Sequence, residues 1–293
     1  MSSVPVSTAP DPADWHPARA RAADFSGQSN LALAFLSLPR DKRLDMDVFY
    51  TFCRLVDDIA DEPTLPPEQK AELLNAWRQA LATPVSPPDL LAAQLHRLRL
   101  KYPIPVEHFL EIIAGVEMDV GGRQYHTFEQ LRSYCHRVAS VVGLVSIEIF
   151  GYQDPDTRRY ALDLGLALQL TNIIRDVGVD LDNGGRVYLP IEDLERFGYT
   201  PADLRARVND KRFRALMKFE ADRAEGFYRS ARAHLSARDR RAMTAAEIMR
   251  AIYHKLLQDM RADRYEVFSK RYRLSKGRKL WTLLVTTLRT RLG

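Results

Sequence analysis

Cysteine is scarce in this sequence, with two in 293 residues. Cys53 and Cys135 have neither metal-type nor C-x-x-C spacing. That excludes a disulfide framework and a cysteine-held metal, and it leaves two free thiols in apolar helical contexts, in a reducing compartment. No run of about eighteen apolar residues occurs, so no transmembrane helix is predicted. The opening MSSVPVSTAPDPADWHP lacks the basic start and apolar core of a signal peptide. Its Pro, Ser and Ala content predicts a disordered tail over residues 1–20, with a cytoplasmic protein as the default. Lysine and arginine form no block interleaved with aromatics, and the net charge is only +5, so nucleic acid is not the expected partner. Nothing points to a specific protein partner. Period-two alternation is scarce, which leaves little room for a sheet. No Glu-x-x-His pair occurs, which excludes a carboxylate-bridged di-iron bundle.

What the chain has is helical periodicity. With 46% hydrophobic residues it can bury a large core, and apolar positions recur every three or four residues almost throughout. Breakers such as PTLPPE, TPVSPPD and DNGGRVYLP divide it. Helices are predicted at 41–61, 67–82, 88–101, 105–119, 127–150, 155–181, 208–235 and 237–273. Asp89 and Thr127 are candidate N-caps. There is no internal repeat and no second composition. The expectation is one all-α domain over 21–293, its long helices around a common core.

Two stretches break the pattern. FCRLVDDIADE, residues 52–62, crowds Asp57, Asp58, Asp61 and Glu62 into the end of an apolar helix, one turn after Arg54. QLTNIIRDVGVDLDNGGRVYLP, residues 169–190, places Asp176 and Asp180 four apart, beside Arg175 and one turn after Asn172. Residues at i and i+4 share a helix face, and like charges there destabilise it mildly. A cation from outside the chain would offset that repulsion. An oxygen-only donor set suits Mg²⁺ or Mn²⁺, which take one or two carboxylates and complete their shell with water and substrate phosphates. Asn172 and Arg175 are suited to such a phosphate.

With these motifs in view, the chain resembles the squalene and phytoene synthases, head-to-head trans-prenyltransferases, from about Ser29 to Lys279. FYTFCRLVDDIADE resembles the family's first aspartate-rich motif and QLTNIIRDVGVDLDNGGRVYLP its second. YCHRVASVVG (134–143) resembles an intervening helix of the family. LAFLSLPRDKR (33–43) and YEVFSKRYRLSKGRKLW (265–281) also fit. Val179 stands where a Glu is frequent and Ser140 where Gly is usual.

The resemblance implies an all-α isoprenoid-synthase fold with the two aspartate-rich helices facing across a central cavity. It implies two prenyl diphosphates as substrates. Carried over, Asp57, Asp61, Asp176 and Asp180 are metal-associated. Arg54, Asn172, Arg175 and Arg186 contact diphosphate, Gln169 lines the upper cavity, and Tyr134 lies near the departing diphosphate. Apolar faces around Val138, Val141, Val142, Leu166 and Leu170 would supply a dry wall or plain core. The expected product is presqualene diphosphate, or squalene with NADPH for a reductive step, from two farnesyl diphosphates. The alternatives are phytoene from two geranylgeranyl diphosphates, or an inactive helical assembly protein. The C-terminal SKGRKLWTLLVTTLRTRLG fits both peripheral contact with an anionic membrane and a terminal helix packed on the domain.

Overall fold

The computed structural model describes residues 12–22, 30–83, 87, 90–122 and 124–292. After a 3-10 turn at Pro12–Trp15 come α1 (Asn30–Phe35), α2 (Arg40–Asp61), α3 (Pro67–Ala82), α4 (Leu91–Lys101), α5 (Val106–Val120) and α6 (Phe128–Cys135). A π-helical turn at His136–Ser140 runs straight into α7 (Val141–Phe150). Then follow α8 (Thr157–Asp182), α9 (Ile191–Arg196), α10 (Pro201–Arg205), α11 (Lys211–His234), α12 (Thr244–Ala262) and α13 (Lys276–Leu292). Among the described residues the only β pairing is one bridge, Arg21 to Leu90. The fold is a single all-α domain, as the periodicity predicts.

α8 is the central rod. It is buried along most of its circumference from Tyr160 through Val177, and a polar flank with Gln169, Asn172, Arg175 and Asp176 faces the cavity. α11, α12, α6 and the π turn with α7 pack against it. α2 is two-faced. Phe49, Phe52, Val56 and Ile59 point into the core, where the Phe52 ring meets Trp77 at 5.6 Å and Phe109 at 5.5 Å. Its other flank, with Tyr50, Cys53, Arg54 and Asp57, faces a cavity.

The π turn is held by two glycines. A Cβ on Gly165 of α8 would stand 2.5 Å from the Ser140 Cα, and one on Gly115 of α5 would stand 2.7 Å from the Val138 side chain. Ser140, in place of the family's usual glycine, is fully buried and donates its hydroxyl to the Leu162 carbonyl at 2.8 Å. A Gly165→Ala variant is therefore expected to lose about 1–3 kcal/mol of stability or more, because backbone has to move. Thermal melting checks this; an unchanged midpoint would show that the two helices part freely.

Four expectations need correction or completion. Residues 12–20, placed in a disordered tail by composition, pack on the domain: Trp15 is buried and its carbonyl accepts from Trp77 Nε1 at 2.8 Å. The predicted helix 237–273 is shorter at both ends. Turns precede Thr244, and α12 stops at Ala262 because Arg264 and Tyr265 turn left-handed, with φ of 52° and 58°. The strap 263–275 then crosses α8, passing where a Cβ on Gly178 would sit 2.7 Å from the Val267 carbonyl oxygen. The short helices α1, α9 and α10 were missed. Thr127 does cap α6, accepting from the Gln130 N–H at 3.3 Å, whereas Asp89 lies outside the described residues.

Candidate active site

α2, α5, the α6–α7 run, α8, α12 and the strap enclose a cavity of about 720 Å³. The two aspartate-rich helices meet across its upper end: Arg54 and Asp57 come from α2, and Asn172, Arg175 and Asp176 from α8. Gln169 sits one turn lower, and Tyr134 enters from α6. Arg271, Arg273 and Lys279 add positive charge from the strap and the start of α13. Below, the wall turns apolar through Leu31, Ile112, Val116, Val138, Val142 and Leu168. Of the side chains expected in a dry wall, Val138 and Val142 line the cavity. Val141, Leu166 and Leu170 are buried core instead.

Asp61, Asp180 and Arg186 lie outside the main cavity lining, and Asp180 and Arg186 line a second, small pocket with Tyr188. Arg186 Nη1 donates to Asp61 Oδ1 at 2.6 Å, tying the segment after α8 to the end of α2. Its backbone N–H meets the Asp180 carbonyl at 2.9 Å. Gly184 and Gly185, with φ of 78° and 70°, make the turn that brings it there. Arg54 donates to Asp57 at 3.1 Å and Asp58 at 2.7 Å, and Arg175 Nε donates to Asp176 at 2.8 Å. Each predicted arginine is thus held beside the carboxylates by charge-assisted bonds.

Several participants were missed: Arg271, Arg273 and Lys279 of the lining, and the cluster around Asp119. Asp119, in the last turn of α5, accepts Tyr134 Oη on one oxygen and Tyr188 Oη on the other, each at 2.8 Å. The two tyrosine rings stack at 5.4 Å, and Tyr125 packs against both. The available signal was an acid in the final turn of an apolar helix, where the helix dipole disfavours negative charge. Burial holds the Tyr134 hydroxyl far above its ordinary pKa, so it stays protonated and donating.

The carboxylates are short of positive charge. Burial, then the charge of Asp61, pushes Asp57 up to about 7, although its side chain is 45% open to solvent on the cavity side. Burial, then Asp176, pushes Asp180 up to about 7. Burial pushes Asp119 to about 6 against the pull of its two tyrosines. Asn172 Oδ1 is buried with no hydrogen-bond partner. Carboxylates raised in this way and an unpaired amide oxygen, beside arginines that cannot themselves ligate a metal, fit a hard divalent cation. Among the described residues no three His, Cys, Asp or Glu converge to hold an ion by themselves. The remaining ligands have to arrive with a phosphate-bearing substrate.

A pH signature follows. A carboxyl whose folded pKa lies above its unfolded value binds more protons when folded. Metal-free stability from Asp57 and Asp180 therefore falls as pH rises from about 4 to about 7 and stays low above that. The wild-type melting point, compared with that of Asp57→Asn/Asp180→Asn, is expected to lose ground between pH 5 and pH 8 without metal, and to regain it with Mg²⁺. Parallel curves for the two proteins would show that these carboxylates are not strained.

The sequence model of the squalene/phytoene synthase family matches residues 26–278. The chain is 37% identical over 271 residues to the 15-cis-phytoene synthase of Synechocystis sp., covering 88% of this chain and 80% of that one. It is 36% identical over 266 residues to the presqualene diphosphate synthase of Zymomonas mobilis, covering 89% and 91%. A crystal structure of a dehydrosqualene synthase in complex with ligand superposes with a TM-score of 0.79 at 27% identity, covering 92% and 94%.

Proposed function

Because the chain belongs to the squalene/phytoene synthase family of prenyl-transferring enzymes, we propose that it joins two farnesyl diphosphates head to head and forms presqualene diphosphate. The observation that carries the choice of chain is the depth of the cavity. Its lining on α8 runs from Val179 down to Gly165, about four helical turns or ~21 Å, of which about three turns or ~16 Å lie below Asp176, the level assigned here to the diphosphate. On neighbouring helices it ends at Tyr50 and Val142. One turn further, Met46, Val145 and Ala161 are sealed core. An extended chain advances about 1.2 Å per bond, so three isoprene units reach about 14 Å and four about 19 Å. The shorter chain fits. The near-equal identities to a phytoene synthase and a presqualene diphosphate synthase keep phytoene, from two geranylgeranyl diphosphates, as the second reading.

In this reading Asp57, Asp61, Asp176 and Asp180 hold divalent metal, Mg²⁺ or Mn²⁺, and Arg54, Asn172, Arg175 and Arg186 hold the diphosphates. The bound metal supplies counter-charge for a leaving group that departs with its bonding electron pair. Arg271, Arg273 and Lys279 add fixed positive charge to the same cavity lining. Asp119 accepts from the hydroxyl of Tyr134, which lines the cavity, and fixes its direction. The C1–O bond of one substrate breaks, the second substrate's double bond captures the allylic cation, and loss of a proton closes a cyclopropane ring. Val116, Val138, Val142 and Leu168 keep water from that cation.

The test is incubation with farnesyl or geranylgeranyl diphosphate, with and without Mg²⁺ and NADPH, followed by identification of the lipids. Presqualene diphosphate from the C15 substrate, abolished by excess chelator, is expected. NADPH matters only if the product moves on to squalene. Phytoene from the C20 substrate alone would replace the proposal with the second reading, and full turnover in chelator would remove the metal role. The hydrocarbon tails also make a lipid surface the natural place for the reaction, and no helix among the described residues is long and apolar enough to cross a membrane.

A further inference from the structure

Eight large apolar side chains are exposed among the described residues, and five of them belong to one helix: Leu280, Trp281, Leu284, Leu288 and Leu292 of α13. At about 100° per residue they fall within an arc of roughly 120°. The opposite side of α13 is spent on the domain. It packs on α12 and α1, Leu283 lies against the core, and Thr290 is buried and bonded to Thr244 at 2.8 Å. Trp281 is 67% exposed, whereas Trp15 and Trp77, the other tryptophans of the chain, are buried. A clustered apolar stripe of this kind marks an interaction surface.

The charge around the stripe selects its partner. α13 contains no Asp or Glu and carries Lys276, Arg278, Lys279, Arg289 and Arg291. Among the described residues only Arg278 of these has an acidic neighbour, Asp259, at 3.6 Å. Arg289 and Arg278 flank one edge of the arc and Lys276 the other, while Arg291 lies within it at the C-terminal end. A second copy of the chain on this face would bring two unneutralised cationic helices together, because a two-fold interface is self-complementary. An anionic bilayer satisfies both halves of the pattern, with the apolar stripe in the headgroup–acyl boundary and the cations among the phosphates. The stripe also begins at the cavity. Leu274 and Lys279 line the cavity, and Leu280 and Trp281 follow directly.

We propose that α13 is a bilayer-docking helix that lies flat on an anionic lipid surface through Leu280, Trp281, Leu284, Leu288 and Leu292, and that it sets the cavity mouth against the membrane. The docking surface stands on its own residues. Its use as a passage for oily substrates and product rests on the prenyl-transfer reading above.

The experiment uses the full chain with vesicles of phosphatidylcholine containing phosphatidylglycerol, and with phosphatidylcholine alone. Trp281 is the natural reporter, since the other two indoles are already buried. Wild type is expected to co-sediment with the anionic vesicles and to show a blue shift in emission. Leu284→Glu/Leu288→Glu, exposed positions outside the cavity, is expected to bind at least tenfold more weakly and to lose the shift. Its melting point and its diphosphate release in detergent should be those of wild type. Arg289→Glu/Arg291→Glu is expected to lose the preference for anionic over neutral vesicles. Wild type that fails to bind vesicles, or a leucine double variant that binds like wild type, overturns the proposal. So does a wild-type dimer in solution that the leucine double variant dissociates, which would assign the face to a second copy. Vesicle binding by a protein that releases no diphosphate would leave the docking surface standing and refute the function instead.

Discussion

Asp57→Asn and Asp180→Asn are each expected to slow diphosphate release by about a hundredfold or more, comparable to the loss of one preorganised electrostatic contact, while the fold stays intact. The two residues come from different helices, α2 and α8, and are raised in the same way by burial and a neighbouring carboxylate. A carboxylate kept in so costly a place does not stabilise the apo protein. Replacing it with an amide of the same shape removes repulsion, so metal-free stability is expected to hold or rise slightly. Turnover should fall because the divalent ion loses a charged ligand and the leaving diphosphate loses its counter-charge. The two measurements are single-turnover diphosphate release at saturating substrate and Mg²⁺, and thermal melting. A collapsed melting transition would assign these aspartates to the fold, and wild-type release would remove them from the chemistry.

The aspartate helices were legible because two signals coincide there. Periodicity fixed the buried face of α2 through Phe49, Phe52 and Val56, so the acids at Asp57 and Asp61 had to lie on a different face. The same holds for Asp176 and Asp180 beyond Ile173 and Ile174. Arg186 was legible only through its motif. Nothing in local spacing says that a residue after two left-handed glycines reaches Asp61 on another helix. Asp119 was not legible as a partner, because its meaning depends on Tyr134 and Tyr188, which approach it from distant parts of the chain. The end of α12 escaped because Arg264 and Tyr265 adopt positive φ without being glycine, so the helical pattern runs on through a real break. The packing of residues 12–20 turned on a single aromatic: Trp15 offers a buried ring and a carbonyl to Trp77, against a composition that otherwise reads as tail.

Tyr134→Phe carries the second large expected effect. Tyr134 is buried beside the cavity and its hydroxyl donates to Asp119. As a core residue alone it would cost about 1 kcal/mol on losing that hydrogen bond, and the chemistry would be untouched. The pairing has a further consequence. Asp119 is already shared with Tyr188 and is itself pushed to about 6 by burial. The acceptor therefore fixes the direction of the hydroxyl of a residue that lines the same cavity as Asp57 and Asp176. A hydroxyl so placed can orient the leaving diphosphate or move a proton to it, and general acid–base groups contribute about a hundredfold or more. Tyr134→Phe is thus expected to keep the fold and substrate binding while cutting diphosphate release by about that factor. Asp119→Asn should follow it more mildly: one tyrosine then faces an amide donor instead of an acceptor and has to turn. Tyr188→Phe, which leaves the Tyr134–Asp119 bond in place, should cost least. Equal losses in all three variants, in step with their melting points, would make the trio a structural clasp. Diphosphate release at the wild-type rate in Tyr134→Phe would return the tyrosine to the core and leave the ionisation to be sought at the four aspartates and their arginines.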